Sequence, residues 1–240
     1  MVLTGGGCLI NGHFGSRPPL TDICERRPGL CEDDRAVRLI NQLRESSVLI
    51  RTEETLGSGI IIAQSRDETV ILTNRHVIDP DGDLEYPTGI TVNNNGRSIE
   101  PRRILIAPDG VDLAAVVVEG GLGPPIRMNG GNPPIGTNIF VVGSPLGSED
   151  SVSAGIVSNL RHVAMADGFE FDAIQTDAAV NPGNSGGGIF DADTGELLGI
   201  ITFKLRISMF QTAEGMAFAI PTSVLDRFPY AGWRQLAREN

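Results

Sequence analysis

Gly183-Asn184-Ser185-Gly186-Gly187 is the stretch whose reading decides the fold. A serine set between glycines is held out on a tight turn, and the N–H groups beside it can converge on an anion. Alone, the five residues also fit a plain Gly-rich hairpin turn. Working outward, short apolar runs recur between turn signals. Before the turn they are Val48–Arg51, Gly59–Ala63, Val70–Thr73, Gly89–Val92, Ile104–Ala107, Leu113–Val118, Asn138–Val142, Gly155–Val157 and Ala173–Gln175. After it come Gly188–Phe190, Leu197–Phe203 and Met216–Ile220. Roughly a dozen short strands with few helices between them predict an all-β sandwich or barrel. The Gly/Pro-rich segment 120–136 divides the strands into two halves of similar length and reads as a crossover. Residues 1–32 read as an irregular arm. From Asp33 to Ser46, Ala36, Leu39, Ile40 and Leu43 fall at helical spacing behind Asp33 and Asp34 and predict one amphipathic helix. Pro221-Thr222-Ser223 predicts a cap leading into a short closing helix.

The pentapeptide also satisfies G-x-S-x-G, the nucleophile elbow of α/β-hydrolases. Those enzymes run Ser, acid, His along the chain. The three histidines are His13, His76 and His162, and none follows Ser185. The elbow reading therefore fails, and with it an esterase of that fold. The opposite order, His, Asp, Ser, is that of the chymotrypsin-like arrangement. His13 lies in the arm, and His162 sits in a polar stretch without a motif. His76 ends the apolar strand in Leu72-Thr73-Asn74-Arg75-His76-Val77. The order also requires an Asp between positions 76 and 185. Asp112 stands at the mouth of the apolar strand Leu113–Val118, where it can accept from the imidazole and fix its tautomer. Its local rival, Asp109, lies in the turn Pro108-Asp109-Gly110 and reads better as a solvated loop acid.

Composition narrows the function further. The 240 residues include 30 Gly and 15 Pro beside 40% hydrophobic residues, which makes a turn-rich but folded chain. A net charge of −11 argues against nucleic acid and against docking on anionic lipid. No apolar run approaches the roughly 18 residues of a membrane span. The three cysteines, Cys8, Cys24 and Cys31, lie in the arm with neither a CxxC nor a His/Cys cluster, so no metal site is expected. Cys24 and Cys31 read either as a short disulfide, which implies an oxidising compartment, or as two free thiols.

Five strings together resemble the protease domain of the HtrA/Deg family of trypsin-like serine peptidases. They are Gly57-Ser58-Gly59-Ile60-Ile61-Ile62, Leu72 to Val77, Asp112-Leu113-Ala114, the run from Gln175 to Gly187, and Gly215-Met216-Ala217-Phe218-Ala219-Ile220-Pro221. The match runs in order from about Ser47 to Phe228. It implies two perpendicular six-stranded β-barrels, at about 47–119 and 137–220, within a protease domain at 47–228. The arm and helix (1–46) precede that domain and a tail (229–240) follows it. By the same resemblance Ser185 is the nucleophile, His76 the general base and Asp112 the orienting acid. The N–H groups of Gly183 and Ser185 form the oxyanion hole, with Asn184 shaping the loop. The substrate is a polypeptide, no cofactor is needed, and the location is periplasmic or extracellular.

Departures from the family pattern carry their own expectations. Gly188 stands where the family usually has Pro, which loosens the strand behind the nucleophile. Only 20 residues follow Ile220, so the PDZ domains of many members are expected to be absent. The arm does not match the trimerising N-terminus of the family, which leaves monomer and trimer open. Asn184 holds the place where digestive relatives carry an Asp that pairs with a newly cut N-terminus, so activation of that kind is not expected. In trypsin the pocket carboxylate lies six residues before the nucleophile. Here that position is Ala179, and Asp177 reads as structural. Ile200, Ile201 and Thr202 should form the opposite wall and an edge for the substrate backbone, with Met216 to the rear. Such a dry pocket predicts cleavage after Val, Ala, Ile or Leu, preferably in unfolded chains, because a buried lysine there would be unpaired. The competing reading is a latent protease fold that acts as a binding or holdase protein.

Overall fold

The computed structural model describes residues 35–80, 90–94, 96–107, 110–144, 151–164, 170–202 and 216–227. The arm with its cysteines and His13, the tail, and Asp33, Asp34 and Asp109 lie outside the described residues. Helix α1 (Arg35–Glu45) forms where the helical spacing predicts it. Leu39 and Leu43, one turn apart, face the same core, and Leu43 is fully buried. The front of the helix reaches the second half of the molecule. There the Arg35 guanidinium donates to the carbonyl of Asp193 (2.6 Å).

The first half is a seven-stranded antiparallel sheet in the order β5-β4-β1-β2-β3-β7-β6. Its strands are β1 (Ser47–Arg51), β2 (Leu56–Gln64), β3 (Glu68–Thr73), β4 (Thr91–Asn94), β5 (Arg97–Ile99), β6 (Arg103–Ile106) and β7 (Ala114–Glu119). Among the described residues this half is a half-barrel, not the closed six-stranded barrel expected. At the turn from β5 to β6, Arg102 donates its N–H to Val117 on the β7 side (2.8 Å), and β5 and β6 stand as the two edges of the sheet. The second half is the closed six-stranded barrel expected, in the order β10-β13-β12-β11-β8-β9. Its strands are β8 (Asn138–Gly143), β9 (Ser151–Ala164), β10 (Glu170–Thr176), β11 (Gly188–Asp191), β12 (Leu197–Thr202) and β13 (Ala217–Pro221). A 3₁₀ turn, Thr222–Arg227, follows Pro221 and buries Val224 and Leu225.

Three apolar clusters hold this arrangement. Val48, Ile50, Ile61, Ile71 and Val116 fill the first half, and Ile139, Val141, Val157, Ile189 and Ile201 fill the barrel. The third lies between the halves, where Ile60, Leu72 and Val117 meet Val142, Phe190 and Ile200. Strand β2 is therefore buried on both faces, which explains why Gly59–Ala63 reads as an unbroken apolar run rather than an alternation. The connecting segment straps both halves. Ile126 donates to Ile61 on one side (2.9 Å), and Met128 forms a parallel bridge with Leu197 on the other.

Candidate active site

Sheet register brings the histidine and its acid together. In the β3–β7 pairing Thr73 lies opposite Ala114. His76 comes three residues after the first, and Asp112 two residues before the second. His76 does not end the strand as the sequence suggested. It sits in a one-turn helix, α2 (Arg75–Ile78), entered from Asn74 with extended backbone. Nδ1 of His76 lies 2.7 Å from Oδ2 of Asp112, and the backbone N–H of His76 donates to Oδ1 (3.0 Å). Asn74, wholly buried, donates from Nδ2 to the carbonyl of Asp112 (2.9 Å). The Thr202 hydroxyl donates to the same Oδ2 (2.6 Å) from the end of β12.

Ser185 stands on the turn that opens β11. The turn is closed by Asn184 N–H to Asn181 (3.0 Å) and Gly187 N–H to Asn184 (2.8 Å). Its glycines are steric requirements. Gly183 has φ +99° and Gly186 φ +84°, and a Cβ on Gly186 would strike the Ser58 carbonyl and the Thr73 hydroxyl. Among the described residues the N–H groups of Gly183 and Ser185 donate to nothing, whereas that of Asn184 is spent within the turn. The Ser185 hydroxyl makes no hydrogen bond among the described residues. Two contacts bring this turn up to His76 and Asp112. Gly57 is squeezed between Val77, the neighbour of His76, and the Ser185 carbonyl. Gly186 and Gly187 exchange hydrogen bonds with Ile201, the neighbour of Thr202 (3.0 and 2.8 Å).

The residues expected to line the pocket occupy varied surroundings. Ala179 is exposed, and its carbonyl accepts from Ser153 (2.7 Å). Met216 is 43% exposed. Ile200 is buried in the cluster between the halves and Ile201 in the barrel interior. Asp177 accepts the N–H of Ile156 (2.8 Å), a bond within the fold. Behind Ser185, a Cβ on Gly188 would fall on the Phe190 ring, so Phe190 fills the space that Gly188 leaves. His162 lies exposed on the β9–β10 hairpin beside Asp172 (3.3 Å) and Glu170 (3.7 Å). Sequence reasoning missed Ser58, Asn74 and the hydroxyl role of Thr202. The first two lie inside strings already singled out, Gly57-Ser58-Gly59 and Thr73-Asn74-Arg75-His76.

Comparison with known proteins agrees with this geometry. Residues 57–200 match the family described as "Trypsin-like peptidase domain". A "Serine protease HtrA-like" protein of Staphylococcus epidermidis is 37% identical over 182 residues, covering 71% of this chain and 29% of the relative. A "Probable periplasmic serine endoprotease DegP-like" protein of Pseudomonas fulva is 37% identical over 225 residues, covering 93% of this chain and 42% of the relative. The chain thus spans less than half the length of either relative. The crystal structure of the serine endoprotease from Yersinia pestis superposes with a TM-score of 0.61 at 30% identity, covering 86% of this chain and 68% of that one. With the family match across most of the strand-bearing region and this geometry, the chain belongs to the trypsin-like peptidase family and carries a protease domain of the HtrA type.

Proposed function

We propose that this chain is a serine endopeptidase that cleaves polypeptides through an acyl-enzyme on Ser185. A serine hydroxyl is a weak nucleophile until a base takes its proton. The observation that carries the reading is the clamp on His76, where Asp112 accepts from both Nδ1 and the backbone N–H. With Nδ1 so engaged, Nε2 is the nitrogen left to take the Ser185 proton and return it to the leaving amine. The bond from Ser185 to His76 is one that commonly tightens only when substrate is bound. The free N–H groups of Gly183 and Ser185 supply the donors for the oxyanion, and Asn184 shapes the loop between them.

The substrate reading rests on Ala179 and Asp177. An exposed alanine takes the place of a pocket carboxylate, and Asp177 is engaged with Ile156. Small or medium aliphatic residues before the scissile bond suit that site. Of the other residues expected there, Met216 is exposed and available to the pocket, whereas Ile200 and Ile201 are buried in separate clusters and support it from behind, with extended, unfolded chains as the substrates. A periplasmic setting follows the description of the Pseudomonas fulva relative, and an extracellular one is the alternative carried by the sequence reading. The deciding experiment compares wild type with Ser185→Ala. Wild type should cleave casein and take a fluorophosphonate on Ser185 alone, and the variant should do neither. An unlabelled, inactive wild type would instead favour the latent binding protein.

A further inference from the structure

Ser58 commits every polar group it has to the nucleophile turn and the strand beside it. Its N–H donates to the Ser185 carbonyl (2.8 Å), and its hydroxyl donates to the Gly183 carbonyl (2.7 Å). The same hydroxyl accepts the N–H of Ser144 (2.8 Å). Its carbonyl accepts the Thr73 hydroxyl (2.7 Å), three residues before His76. The proton's direction is not a matter of choice. An amide N–H can only donate and a carbonyl can only accept, so the single Ser58 proton must point at Gly183. Ser58 is wholly buried.

The Gly183 carbonyl is the group in most need of a restraint. Gly183 carries no Cβ and sits at φ +99°, so sterics alone do not fix the peptide that follows it. Among the described residues the side-chain donor to that carbonyl is Ser58, and Asn184 makes no such bond. Gly143 lets Ser58 approach, since a Cβ there would lie 3.0 Å from the Ser58 hydroxyl. The two carbonyls that Ser58 grips, Gly183 and Ser185, flank the peptide whose N–H belongs to Ser185. Gly183 supplies the other free N–H.

We propose that Ser58 is a positioning residue that sets the orientation of the two oxyanion donors from the opposite half of the molecule. This rests on the assignment of Ser185 as nucleophile and of those N–H groups as its oxyanion hole. Removing one oxyanion donor outright costs on the order of 10²–10³ in kcat. Ser58→Ala leaves both donors present but unguided, so kcat should fall about 10- to 100-fold with KM little changed. The specific readout is a peptidyl trifluoromethyl ketone with valine next to the ketone, whose hemiketal oxyanion is titrated by ¹⁹F NMR on the full chain. Poorer donors should raise the pH at which that hemiketal ionises.

The controls separate the two assignments. Ser185→Ala that still cleaves peptide overturns the catalytic reading itself. With Ser185→Ala inactive and wild type active, Ser58→Ala that keeps wild-type kcat and the wild-type hemiketal titration overturns the role of Ser58. So does a variant that lowers only the unfolding midpoint, because packing alone would account for it. If Ser58→Ala does not fold, Ser58→Cys keeps the side-chain length with a weaker donor and must show the same loss of kcat and the same shift.

Discussion

Replacing Asp112 by asparagine tests the catalytic assignment at its most constrained point, because the structure dictates which way the new amide must face. Oδ1 of Asp112 accepts the backbone N–H of His76, a donor that cannot reverse its role. The oxygen of the introduced amide must therefore take that position, and its NH₂ must take the position of Oδ2. There it meets Nδ1 of His76, 2.7 Å from the present oxygen, and the hydroxyl of Thr202. The hydroxyl can rotate to accept. The imidazole accepts only as the tautomer with its proton on Nε2, which is the nitrogen needed bare to receive the Ser185 proton. Fold and burial stay intact while the base is blocked. In serine proteases of this geometry the same change lowers kcat about 10⁴-fold, or roughly 5 kcal/mol of barrier. The assay is kcat/KM on a valine-containing peptide, normalised to folded protein concentration. It is paired with ¹⁵N NMR of labelled histidine, which is tractable with three histidines in the chain. Asp112→Asn should move the His76 proton from Nδ1 to Nε2. Activity within tenfold of wild type, or an unchanged tautomer with full activity, would refute the assignment of Asp112 and direct attention to Asp109.

Three further outcomes follow from the same contacts. Thr202→Val removes a hydrogen bond to a charged group, worth about 1.5–3 kcal/mol. Steady-state kinetics should show kcat lowered roughly 10- to 100-fold with KM little changed. Gly188→Ala sets a Cβ 2.8 Å from Leu197 Cδ1 and against the Phe190 ring. Denaturant unfolding should show a loss of about 1–3 kcal/mol, which Phe190→Leu on the same chain partly restores. Mass spectrometry of cleaved denatured casein should place most cuts after Val, Ala, Ile or Leu, and a majority after Lys or Arg would sink the pocket assignment.

Much of the fold is legible in the sequence because buried strands advertise themselves. Ile60-Ile61-Ile62 and Val116-Val117-Val118 sit in strands covered on both faces, and such runs need no alternation to be recognised. Strand β5 escapes that signal. Arg97-Ser98-Ile99 has one apolar residue, and the strand exists through its pairing with β4, where Ile99 lies opposite Val92. Strand β9 is far longer than the apolar run Gly155–Val157 that marks it. It serves two partners in succession, β8 from Ser151 to Ile156 and β10 from Val157 to Ala164, and its polar residues lie at the partly exposed surface of that bend. His76, Asp112 and Ser185 stand out as candidates through their order in the chain. Their supporting groups do not, because a hydroxyl that serves a carboxylate 90 residues away leaves no local pattern. Thr202 therefore reads as the end of an apolar edge until Asp112 is seen beside it.

The location of these supporting bonds ties the proposed catalytic groups to the seam between the halves. The first half holds His76 and Asp112, and the second holds Ser185 and both candidate oxyanion donors. Beside the site, hydrogen bonds cross the seam from Ser58 to Gly183, Ser185 and Ser144, and from Thr202 to Asp112. Each is short, but none is strong enough to hold two halves of a protein in place, since a net contribution of about 1–3 kcal/mol is all that such bonds supply. The holding is done by the apolar contact of Ile60, Leu72 and Val117 with Val142, Phe190 and Ile200. The polar bonds then fix the last fraction of an ångström. A misplacement of about 1 Å is enough to cost on the order of 10²-fold in rate. Phe190, which fills the space beside Gly188 on the strand that follows Ser185, thus sits where a packing change should be transmitted into the proposed alignment of Ser185 with His76.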